Sequence, residues 1–137
     1  MERYKNDCTK GMVDGLRIAK GDRLVDVIRI WRYRVEQLEK HGENDQLLLC
    51  AQALIPELKQ IILDENTDLG LRGETILTLC SIVAALTNTQ EEELAKSLIK
   101  ETLEGLAMSL KLPIIIYGRT AAEQILNQFK DKKSIND

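Results

Sequence analysis

Apolar positions recur along this chain at the three- and four-residue spacings of amphipathic helices, and in one stretch they stop alternating with polar ones. From Thr75 to Leu86 there is no charge, and the polar groups are three small ones, Thr75, Thr78 and Ser81. Ile76, Leu77, Leu79, Cys80, Ile82, Val83 and Leu86 point in every direction around a helix of about 3.6 residues per turn. A helix that is hydrophobic all round is buried all round, so the pattern predicts a central helix over about 71–86 against which the others pack. Its uncharged part, about a dozen residues, falls short of the roughly 20 needed to cross a bilayer.

The flanking segments are amphipathic. Before Gly21 the chain is interrupted by Gly11 and Gly15, so residues 1–20 read as a loosely ordered segment with at most a short helix. Asp22 is a candidate N-cap for a helix carrying Leu24, Ile28, Trp31, Val35 and Leu38 on one stripe, ending near His41 with Gly42 just beyond it. A second helix is expected from a cap at Asn44 or Asp45, along Leu47, Leu48, Cys50, Ala51, Leu54, Leu58, Ile61 and Ile62. Pro56 lies within it and predicts either a kink or two shorter helices. Thr89 with Glu92 reads as a capping box for a helix whose broad apolar face is Leu94, Ala95, Leu98, Ile99, Leu103, Leu106, Ala107 and Leu110. After Pro113, Ile114 to Tyr117 has the β-branched and aromatic content of a short strand but no second strand to pair with, so it fits a helical start or an extended connector, and Thr120 with Glu123 reads as a second capping box for a last helix. Residues 131–137 read as a flexible polar tail. The sum is an all-α, compact single-domain bundle of five or six helices spanning 1–137, with short loops joining antiparallel neighbours.

Composition narrows the class. A chain of 137 residues with 44% hydrophobic and 30% charged content is long enough to bury a core and reads as an ordinary globular protein. No apolar run follows the first residues, so no secretory signal is expected. Cys8, Cys50 and Cys80 are odd in number and widely spaced, which points to a reducing, cytoplasmic setting. The net charge of -3 divides unevenly: residues 1–40 balance at +3, 41–110 at -8 and 111–137 at +2. An acidic middle argues against a protein that coats nucleic acid with its whole surface, yet leaves room for a basic patch.

Catalytic patterns are scarce. The single histidine, His41, sits where a helix C-terminus favours an imidazolium, and no Cys-x-x-Cys suggests zinc. The glycines lack phosphate-loop spacing, and no base neighbours the thiols in sequence. The expectation is a non-enzyme without cofactor or metal, with a small helical enzyme using His41 or a carboxylate as the weakest alternative.

One patch stands out. Arg29-Ile-Trp-Arg-Tyr-Arg34 gathers three arginines and two large aromatics, the residue types that dominate binding hot spots. Trp31 belongs to the core stripe, and Arg32 can make an ordinary i,i+4 pair with Glu36. Arg29, Arg32, Tyr33 and Arg34 are therefore the candidate partner-binding residues. Glu93-Leu-Ala-Lys-Ser-Leu-Ile-Lys100 resembles a run in the N-terminal helical domain of the eukaryotic transcript-cleavage elongation factor, although here it continues Glu101-Thr-Leu-Glu104 where that run continues into Trp-Lys. Leu77-Thr-Leu-Cys-Ser-Ile-Val83 is similar to a segment of the filovirus nucleocapsid-associated transcription activator. Both runs are short, and no family is assigned from them; the resemblances imply a small helical domain that binds peptides or partners. The functional expectation is an intracellular helical adaptor or regulatory domain that binds a protein, such as an acidic or amphipathic segment, with a homodimer open. The alternative is a regulatory RNA- or nucleocapsid-associated protein using a basic face of the first long helix. No membrane partner is expected.

Overall fold

The computed structural model describes Gly11, residues 13–89 and residues 92–136, with side chains described as far as Lys130. Six helices follow one another: α1 (residues 13–18), α2 (Asp22–Lys40), α3 (Asn44–Leu63), α4 (Leu69–Leu86), α5 (Glu93–Ser109) and α6 (Ile116–Asn136). There is no strand among the described residues. α4 is the hub, with α2, α3, α5 and α6 all packed against it. Ile76, Leu79, Ile82 and Leu86 are completely enclosed, each burial contributing roughly 1.5–3 kcal/mol. The buried threonines are satisfied within their own helices. Thr75 and Thr78 donate to the carbonyls of Leu71 and Glu74 at 2.7 and 2.9 Å, and Thr102 donates to Leu98 at 2.7 Å.

α4 starts earlier than the uncharged run, because Asp68 caps it by accepting from the Leu71 N–H at 2.8 Å. The early start brings Arg72 and Glu74 into the packed part of the helix. It also makes the span from Leu69 to Thr89, like α3, long and apolar enough to cross a membrane by length and composition. Its apolar character is accounted for by the helices wrapped around it. Arg72, only 4% exposed, donates from Nε to Ile62 O (2.9 Å), from Nη2 to Asp64 O (2.7 Å) and from Nη1 to Pro113 O (2.8 Å). It thereby ties the carboxyl end of α3 to the connector before α6, where a cation meets the negative end of the helix dipole. Arg119 holds the same connector from the other side through Leu110 O and Leu112 O, at 3.2 and 3.4 Å.

Several helix ends differ from the sequence expectation. α2 begins from Gly21 at φ 62, which moves Asp22 from cap to first turn. α3 begins at Asn44 with Glu43 in the N-cap position, and it runs through Pro56 as one helix rather than two. Pro56 and Gln52 are both on the exposed side, so the carbonyl that loses its partner faces water. Thr89 is not a capping residue: it lies in the 3-10 turn Thr87–Thr89, buried, and donates to Leu86 O at 3.1 Å. α5 starts at Glu93, with Glu92 in the N-cap position making no side-chain cap bond. Thr120 lies inside α6 rather than at its start. Residues 113–115 form the extended connector, α6 opens at Ile116, and its helical backbone continues through 131–136.

The end of α2 matches the expectation in detail. Gly42 at φ 68 donates to Glu39 O at 3.1 Å and Glu43 to Leu38 O at 2.9 Å, the paired bonds of a Schellman motif. On α1, Leu16 is buried and Arg17 meets Glu57 of α3 at 2.8 Å; residues 1–10, with Cys8, lie outside the described residues. The buried face of α5 is Ala95, Leu98, Ile99, Thr102, Gly105, Leu106 and Ser109, while Leu94 and Ala107 are exposed. Small residues turn inward because α5 lies close to α3. A Cβ on Gly105 would stand 3.0 Å from the Lys59 stem.

Candidate interaction surface

α2 turns Leu24, Ile28, Val35 and Leu38 into the core, with Trp31 half-buried beside them. That orientation spreads the four candidate residues around the helix from the edge that faces α4 to the outer face. Arg29 and Arg32 fall on the side facing α4, where Glu74 rises to meet both. Arg29 Nη2 donates to Glu74 Oε1 at 2.7 Å. Arg32 Nη1 stands 3.1 Å from Glu74 Oε2, a second ion pair to the same carboxylate. Arg32 therefore pairs with Glu74 rather than with Glu36 one turn along its own helix.

The Glu74 side chain is 12% exposed, against 21% for Arg32 and 55% for Arg29. The hydrogen bond from Arg29 lowers its pKa; burial opposes this, and the charges of Arg32 and Arg29 reinforce it. The net effect holds Glu74 ionised below the ordinary carboxylate range. Asp26 and Tyr117 lie close enough to Arg29 to favour its charged form as well. Electrostatically this corner is a clamp between α2 and α4, with one carboxylate shared by two guanidinium groups.

Tyr33 and Arg34 point away from the clamp. Tyr33 is 63% exposed and its neighbour Ile30 is 62% exposed, while Arg34 is exposed and makes no ion pair among the described residues. Ile18 on α1 is also exposed. The outer face of α2 is thus apolar and aromatic, with a few charges beside it, and is not a row of cations. A second exposed apolar corner is made by Leu69, Ile116 and Tyr117, where the starts of α4 and α6 meet. There α6 comes close to α4 through two glycines, since a Cβ on Gly118 would stand 3.1 Å from Gly73 Cα.

Groups with chemical potential elsewhere are dispersed. His41 is exposed at the end of α2. Cys80 is buried in α4, and burial pushes its thiol up to about 12, which leaves essentially no thiolate at neutral pH. A polar cleft of about 280 Å³ lies between the first turn of α3 and the turn after α4, lined by Asn44, Asp45, Leu48, Asn88, Thr89 and Glu92 among others.

Sequence reasoning missed Glu74 and Ile30. Two charges, Arg72 and Glu74, at the start of an otherwise apolar helix were the available signal for the first. The wheel position of Ile30, well off the core stripe, was the signal for the second. No family model, no curated protein and no solved structure matches this chain.

Proposed function

We propose that the chain is a non-catalytic helical interaction domain, adaptor or regulatory in character, that docks a protein partner on the outer face of α2. The observation that carries this reading is the division of the arginines. With Arg29 and Arg32 both paired to Glu74, the solvent-facing residues of the patch that hold no ion pair are Ile30, Tyr33 and Arg34, beside the half-exposed Arg29. Exposed aliphatic and aromatic groups beside one arginine suit a protein surface, where such residues supply most of the binding energy. A phosphate backbone would call for several cations free to release counterions. The setting we propose is intracellular and reducing, in keeping with Cys50 and Cys80 serving as small buried apolar side chains.

The test is a photo-crosslinking amino acid in place of Tyr33, applied in cells, together with RNA and DNA binding across a salt series. The expected result is a protein adduct that disappears with Ile30→Asp, and only feeble nucleic-acid binding. Tight, salt-steep nucleic-acid binding whose slope falls by about one on Arg34→Ala would instead establish the phosphate-binding alternative.

A further inference from the structure

We infer that the partner on the outer face of α2 is a second copy of this chain, the two α2 helices lying antiparallel about a two-fold axis at Ile30. This rests on the interaction reading above and names its partner. A two-fold interface must be self-complementary, because the same patch serves both sides. For antiparallel helices this sets a strict condition: residues equally far before and after the centre must suit each other. On α2 they do. Ile30 meets Ile30 of the second copy, Val27, half-buried at the edge of the face, lies level with Tyr33, and Asp26 lies level with Arg34. Asp26 and Arg34 each stand four residues, roughly 6 Å, from the centre.

All five residues fall within roughly 60° of Ile30 at about 100° per residue, so they form one stripe. The apolar positions match apolar ones, and the carboxylate matches the guanidinium. Within one copy, Asp26 and Arg34 are eight residues or roughly 12 Å apart along the helix, too far to pair with each other. Neither has an ion-pair partner among the described residues, and the Arg29 next to Asp26 is already held by Glu74. A parallel arrangement in the same register would set Arg34 against Arg34 and Asp26 against Asp26, and like charges so placed repel. Charge complementarity therefore selects both the occupant and its direction. The exposure of Ile30 and Tyr33, each above 60%, is the apolar area that the pairing would cover.

The experiment uses the full chain with Cys8→Ser, the remaining thiols being buried. Ile30→Cys is expected to give a covalent dimer on mild oxidation, since position 30 faces its own counterpart, and Ser97→Cys on the exposed side of α5 is the control. Sedimentation equilibrium on the chain without added cysteine is expected to show a concentration-dependent dimer. Ile30→Asp should weaken it by more than about tenfold while leaving unchanged the Tm read at a dilution where the chain is monomeric, because the residue is exposed in the single copy. Arg34→Asp should weaken it too, and the double variant Asp26→Arg/Arg34→Asp should restore it to within a few fold. A chain that stays monomeric, a dimer indifferent to Ile30→Asp, or a charge swap that fails to rescue would overturn the inference. If the monomeric chain still crosslinks a different protein from position 33, self-pairing fails and the interaction reading survives. If position 33 captures no protein, both fail.

Discussion

Replacing Glu74 tests the division of the arginine patch directly. Glu74→Ala removes a carboxylate that accepts from Arg29 Nη2 at 2.7 Å and neutralises Arg32 Nη1 at 3.1 Å. A hydrogen bond to a charged group contributes roughly 1.5–3 kcal/mol when well buried, whereas exposed ion pairs contribute roughly 0–1 kcal/mol. The Arg29 side is more than half exposed and adds little. On the Arg32 side, Nη1 would be left buried with no neighbouring carboxylate. The expected loss is about 2 kcal/mol, read from urea unfolding followed by far-UV circular dichroism and by fluorescence of Trp31, the single tryptophan and the neighbour of Arg32. Glu74→Leu combined with Arg32→Met should recover most of it, because removing both partners strands neither.

The pH dependence has a definite sign. Glu74 titrates lower in the folded chain than in the unfolded one. Its contribution is therefore complete above the unfolded value, about 4.3, and is lost as pH falls through the depressed folded value. The stability gap between wild type and Glu74→Gln should be widest near neutral pH and narrow as pH falls through the depressed folded value. A change under about 0.5 kcal/mol for Glu74→Ala, or a gap that grows on acidification, would refute the clamp.

Three further outcomes are expected. Leu79→Ala, at a fully enclosed position in α4, should cost roughly 2–5 kcal/mol in the same unfolding assay; a loss typical of surface sites would remove α4 from the centre. Cys80 should react with a thiol reagent only at the rate at which the fold opens, because a thiol pushed up to about 12 and buried offers almost no thiolate; rapid labelling of the native chain, located by peptide mass spectrometry, would contradict its placement. Gly73→Ala should destabilise by roughly 1 kcal/mol in spite of a helix-propensity gain of about the same size. The new Cβ would stand 2.5 Å from Ile115 Cγ2 and 3.0 Å from the Tyr117 ring, so a raised Tm would mean that α6 does not close on α4 there.

The sequence by itself determined the helical class, the stripe of α2, the Gly42 ending and the burial of α4. Each depends on apolar periodicity or on one residue's backbone freedom, both of which are local quantities. Helix starts were less legible. Thr89 and Thr120 have capping-box spacing, but burial claims the Thr89 hydroxyl for the end of α4, and the meeting of Gly118 with Gly73 belongs to a turn of α6 that precedes Thr120. Gly73 is small by necessity because it lies against a glycine 45 positions later, a contact that no local pattern signals. The same holds for the candidate site. Arg29, Arg32, Tyr33 and Arg34 are contiguous in sequence and look alike as a cluster. Only the rotation of α2 against α4 decided that two of them close on Glu74 while the other two face solvent beside Ile30. Spacing along one helix fixes which residues share a side, but which side meets a buried carboxylate depends on a helix about 45 residues away, and that contact exists only after the chain has packed.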